Sequence, residues 1–115
     1  MIVSIVKTAH VIYGVFCEKC DKVMYVGETG TSVYERMANH ISTIKNEKDD
    51  NIPDHFTSNG HSVKDFRWFG IEKIRKNDIH MRKIRESFWI RKAGTLIPIG
   101  LNKNGGIGDQ DRGVL

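Results

Sequence analysis

No stretch of this sequence is long and apolar enough to cross a bilayer: the best candidate, Met1 to Val6, runs at once into Lys7 and His10. That stretch also lacks the charged start, apolar centre and small-residue cleavage site of a secretory signal, so an intracellular location without a membrane partner is expected. Internal repeats and low-complexity tracts are missing. Cysteine is scarce, with two residues in a chain of 115. Inside a cell, such a pair spaced C-x-x-C points to metal binding or redox work instead of a lasting disulfide. The length leaves no room for a second domain beside one modest core. What is present is an ordinary globular apolar content of 39% and a basic balance of +4, with a pI near 9.2. That balance favours a polyanionic partner without deciding for one.

The chain is organised around residues 11–40. Val11 to Cys17 and Val23 to Gly27 are dense in β-branched and aromatic residues, and Glu18 to Lys22 between them supplies the tight connection of a hairpin. Gly27 and Gly30 are expected to release the chain from the sheet. Ser32 followed by Glu35 reads as a capping box that opens a helix from Ser32 to Ile44. Its apolar stripe is Val33, Met37, Ile41 and Ile44, with Arg36 and His40 on the border of that stripe.

From Asn46 to His61 the chain is polar, with Pro53 opening a short helix at Asp54 to Ser58. Val63 to Arg75 reads as a third strand with a bulge at Gly70. Asn77 or Asp78 caps a helix from Ile79 to Ala93, closed by Gly94, with a core stripe of Met81, Ile84, Phe88 and Trp89. Thr95 to Leu101, holding Pro98 and Gly100, is expected to cross in extended form. Residues 1–9 read as an N-terminal extension and 104–115 as a flexible tail. The expected fold class is a small α/β (α+β) sandwich: a three-stranded, mainly antiparallel sheet flanked by helices, in the order β-β-α-β-α.

Three groups of residues can carry chemistry. Glu86 lies between Ile84 and Phe88 and is either solvated or turned towards the hairpin. In the second case it offers hard oxygen to a cation of the magnesium type. Lys73, Arg75, Lys76, Arg82, Lys83 and Arg85 form a basic run suited to phosphate neutralisation, although solvated basic helix faces are common. Cys17 and Cys20, with His55 and His61, match C-x2-C and H-x5-H and can supply a tetrahedral zinc site. The redox reading of C-x-x-C is the poorer match, because this pair sits in a hairpin turn and not at a helix start. Tyr13 and Tyr25, taken singly, read as a pair of core tyrosines with satisfied hydroxyls.

Taken together, Val11-Ile12-Tyr13, Tyr25-Val26-Gly27, Arg36, His40, Glu86 and Leu101-Asn102 resemble, in order and spacing, the motifs of the GIY-YIG endonuclease superfamily. With the C-x2-C between the tyrosine strands and the later histidine pair, the chain looks most like the endonuclease domain of Penelope-like retroelements. Val11 and Val26 depart from the pattern, both as apolar strand residues. The resemblance implies a nuclease domain over residues 10–103 that hydrolyses DNA phosphodiesters. Glu86 would hold a magnesium or manganese ion, Tyr13 would help deprotonate the attacking water, and Tyr25 would support the water or the phosphate. Arg36 would stabilise phosphorane-like charge, His40 would relay a proton and Asn102 would help close the site. It further implies structural zinc, a nuclear location and a reverse transcriptase domain elsewhere in the full-length protein. The competing expectation is a zinc-stabilised nucleic-acid-binding module without catalysis.

Overall fold

The structure, a computed structural model, describes residues 7–105. The expectations for residues 1–6 and 106–115 lie outside the described residues. β1 (Ala9–Cys17) and β2 (Lys22–Ser32) form the antiparallel hairpin, turned at Asp21 with φ 57°. β3 (Phe66–Lys73) pairs antiparallel with the other side of β1, so the order is β2-β1-β3. Ile12 pairs with Glu72 and Tyr13 with Gly70, leaving Ile71 as the extra residue of the bulge expected there.

β2 corrects the expectation for its glycines. The strand does not end at Gly27 but runs on to Ser32, because Thr29 pairs with Val11 and Ser32 with Ala9. The left-handed turn that Gly27 and Gly30 were expected to supply is absent. Gly27 is needed for room instead, since a Cβ there would lie 2.5 Å from the Tyr13 hydroxyl.

α1 (Val33–Lys45) starts at the expected capping box, in which the Ser32 side chain accepts from the Glu35 N–H and the Glu35 carboxylate accepts from the Ser32 N–H. Its buried residues are Val33, Met37, His40 and Ile44, so His40 is interior and not at the stripe's border. α2 (Asn51–His55) begins three residues before the expected Asp54 because Asp50 caps it. Pro53 therefore sits at its third position, where a missing N–H costs no helical bond. A 3-10 turn (Val63–Asp65) takes the first three residues expected in the third strand, and β3 stops at Lys73 instead of Arg75.

α3 (Ile79–Ala93) is capped by Asp78 and closed by Gly94 at φ 67°, as expected. Its core stripe is not the expected one: Met81, Ile84 and Phe88 are exposed, and the buried residues are Ser87 and Ile90. The sheet-facing side of this helix carries Arg82, Lys83 and Glu86, polar groups that the apolar periodicity cannot reveal. Thr95 to Leu101 is not an extended crossing either. It folds back on itself, with Gly100 N–H donating to the Leu96 carbonyl and Asn102 N–H to that of Thr95.

The sheet has a core on each face. Val11, Tyr13, Val15 and Cys17 pack with residues of α1 and α2, and with Phe56 and Phe66. Ile12 and Val26, on the other face, pack with Ile74 and with Ile90 of α3. The helices therefore cover both faces of the sheet, as the expected fold class requires.

Candidate active site and metal cluster

β2 is an edge strand, and a cleft of about 490 Å³ opens beside it. Its lining includes Tyr25 from β2, Arg36 and His40 from α1, Glu86 from α3, and Asn102. Five of the six expected catalytic residues thus share one concavity. The sixth, Tyr13, is fully buried behind it and joined to it by hydrogen bonds. Arg36 Nε donates to the Tyr13 hydroxyl at 3.1 Å, and the same oxygen lies 2.8 Å from His40 Nε2. With the arginine as donor on one side, the tyrosine's own proton is free to point at His40, and a neutral imidazole protonated at Nδ1 has the Nε2 lone pair that accepts it.

The titration shifts agree with that assignment. Burial, followed by the nearby Arg36 charge, pushes His40 down from 6.5 to about 4, so it is neutral at physiological pH. Burial and the neighbouring Tyr25 push Tyr13 upward, and Tyr25 also rises through burial. The environment therefore favours tyrosines in the phenol form. Burial, reinforced by the Glu28 charge, raises Glu86 to about 7, so this carboxyl sits where a cation would stabilise its ionised form.

Asn102 is buried and bonded to backbone. Its amide donates to the Val26 carbonyl, and its oxygen accepts from the Val26 N–H and the Thr95 hydroxyl. It thus fastens the loop after α3 to the open side of β2 and forms the floor of the cleft.

Of the basic run, Arg82 and Lys83 pair with Glu28, Arg85 pairs with Glu72 and lies over the Phe88 ring, and Lys73 donates to the Ala9 carbonyl. Arg75 and Lys76 are exposed. Glu28 is a charged neighbour of Glu86, outside the cleft lining, that sequence reasoning missed; placed between two glycines, it reads as part of a turn.

The second group converges as the spacing predicts. The ligand atoms of Cys17, Cys20, His55 and His61 all lie within 4.8 Å of one another. Cys20 Sγ is 3.4 Å from His61 Nε2 and 3.7 Å from His55 Nε2. The hairpin turn brings in the thiols, while the end of α2 and the turn after it bring in the imidazoles. Burial and the nearby His61 lower the pKa of His55, which favours the neutral form that a metal needs. Aromatic rings extend from this cluster towards the cleft. His55 packs edge-on against Phe56, Phe56 against Phe66, and Phe66 lies 6.1 Å from the His40 ring.

With this geometry established, comparison with solved structures finds the catalytic domain of the homing endonuclease I-TevI, at a TM-score of 0.68 and 22% sequence identity over 82% of this chain and 97% of that one. The chain has the fold of a homing-endonuclease catalytic domain. No protein-family model matches its sequence, and neither does any curated protein. Agreement at this level of identity is agreement in backbone arrangement, so the chemical reading rests on the side chains described above.

Proposed function

We propose that this chain is a GIY-YIG-type DNA endonuclease that hydrolyses phosphodiester bonds with a divalent cation at Glu86. The observation that carries the reading is the meeting of Tyr25, Arg36, His40, Glu86 and Asn102 in one cleft, with Tyr13 bonded to two of them from behind.

The ionic and hydrogen-bonding groups suit the reaction. A magnesium or manganese ion held by the Glu86 carboxylate would neutralise charge developing on the phosphodiester. Arg36 presents a guanidinium half-buried at the cleft, where its attraction for phosphate oxygens is less screened than at an open surface. Tyr13 need never become a phenolate: the water's proton would pass through its hydroxyl to His40 Nε2. The low pKa of His40 makes the imidazolium a short-lived carrier that would release the proton from the cleft it lines, to the leaving oxygen or to solvent. Tyr25, at the cleft wall, orients the water or the phosphate. DNA is the proposed substrate, with the exposed Lys73, Arg75 and Lys76 of the basic run neutralising its backbone, while Arg82, Lys83 and Arg85 are engaged with Glu28 and Glu72.

Zinc is the metal proposed for the cysteine–histidine cluster. Bond lengths typical of zinc, at tetrahedral angles, put sulfur and nitrogen ligands about 3.6 Å apart. The distances from Cys20 Sγ to the two imidazoles, 3.4 and 3.7 Å, bracket that value, in a cluster whose ligand atoms all lie within 4.8 Å of one another. The thiol pair between the tyrosine strands supports a role in a Penelope-like retroelement, where the nick would prime a reverse transcriptase domain in the nucleus.

The test is nicking of supercoiled plasmid with magnesium or manganese. Wild type is expected to relax the plasmid, while Glu86→Gln still retards DNA on a gel without cutting it. Equal cutting by the two proteins, or no cutting by wild type with either ion, would end the proposal.

A further inference from the structure

Glu28 has both carboxylate oxygens occupied by α3. Oε1 accepts from Arg82 Nε and Oε2 from Lys83 Nζ, each at 2.5 Å. Its side chain is 12% exposed, as is that of Arg82, whereas Lys83 is 45% exposed. Arg82 is held from further directions: its guanidinium lies against Gly30 and reaches His10 Nδ1 at 3.4 Å. Lys83 is not confined by burial in this way. The carboxylate of Glu28 is what fixes its head.

On α3, Lys83 precedes Glu86 by three residues, the spacing at which a lysine and a glutamate on one helix face pair with each other. Here the lysine turns to β2 instead. Resting on the proposed cation site at Glu86, we propose that Glu28 is a positioning residue that keeps the Glu86 carboxylate free for a divalent ion by holding Lys83 and Arg82 on itself. Two consequences follow from removing its charge. Lys83 becomes able to close an ion pair with Glu86 and compete directly with the metal. Arg82 and Lys83 also lose their neutralising partner, so two bare positive charges repel an incoming cation across the short distance between β2 and α3.

This differs from an ordinary structural ion pair in a measurable way. A bridge that only joined β2 to α3 would affect stability, and deleting Lys83 as well could not repair metal binding. A charge that diverts a competitor gives a variant whose metal affinity is restored when the competitor is removed.

The experiment measures Mn2+ binding to the full 115-residue chain through loss of the free-ion electron paramagnetic resonance signal, with nicking followed as a function of Mn2+ concentration. The variants are Glu86→Gln, Glu28→Gln, Lys83→Gln and the Glu28→Gln/Lys83→Gln pair. Glu28→Gln is expected to weaken Mn2+ binding about tenfold or more, and the double variant to return within about threefold of wild type. Glu28→Gln should also need more Mn2+ for half-maximal nicking while approaching the wild-type rate at saturation. If Glu28→Gln does not fold, Glu28→Asp takes its place: one methylene shorter, it keeps a charge near Arg82 but falls short of Lys83, with the same loss and the same rescue expected.

Wild-type affinity in Glu28→Gln, or a double variant no better than the single one, overturns the role of Glu28 and leaves the Glu86 site standing. Mn2+ binding that Glu86→Gln does not weaken overturns both, because the ion then lies elsewhere.

Discussion

Glu86 and His40 pull the stability of the fold in opposite directions as pH changes. Glu86 is raised from 4.5 to about 7, so between those values the folded chain binds more protons than the unfolded one, and stability falls as pH rises. His40 is lowered from 6.5 to about 4, so its contribution is present above 6.5 and is lost as pH falls towards 4. A shift of that size on so buried an imidazole corresponds to roughly 3 kcal/mol. Glu86→Gln is therefore expected to raise the melting temperature by several degrees at about pH 8 and to change it little at about pH 4.5, read by calorimetry without added metal. The opposite order would mean that Glu86 is stabilised as an anion by the protein itself. Tyr13→Phe removes the proton relay and leaves Arg36 Nε without its oxygen; cutting should fall by about two orders of magnitude or more with DNA binding kept. Unchanged cutting would show that water is activated elsewhere. At this scale the sequence was informative about residue types but not about burial. His40 reads as a border residue because its helix stripe is drawn from apolar side chains alone, and the pocket formed with Tyr13 and Phe66 is a tertiary feature.

At the level of elements, the hairpin, α1 and α3 were legible because each has a local cause: β-branched density, a capping box, and a cap with a left-handed glycine. The length of β2 was not, since its last residues are held by pairing with Ala9 and Val11, whose partners lie about twenty residues away. The buried face of α3 was hidden for a different reason. The inward side of that helix turns Arg82 and Lys83 to Glu28 of β2 and Glu86 to the cleft, so Met81, Ile84 and Phe88 mark its outer side. Gly27 gives a test of how β2 supports the site. Gly27→Ala brings a methyl group against the Tyr13 hydroxyl and Tyr25, and should cost cutting at least about tenfold through the displaced tyrosine. An alanine variant with wild-type cutting would show that the tyrosine can shift without consequence.

For the whole molecule, the cysteine–histidine cluster joins the hairpin turn to the end of α2, two parts of a small chain that hydrophobic burial alone would hold loosely. Cys20 is exposed, so Cys20→Ser removes a ligand with little loss of packing. It is expected to lower the melting temperature by about 10 °C or more and to abolish the stabilisation that zinc gives the wild type. Equal melting of the two proteins in zinc would deny the cluster a structural metal. Further along the chain, Leu101 N–H donates to the Met24 carbonyl and the Asn102 amide takes both backbone groups of Val26. This loop therefore stands in for a fourth strand. A polypeptide shortened to stop at Gly100 would expose that row of unpaired amides and carbonyls, inviting other copies to zip onto it and precipitate as β-rich aggregates.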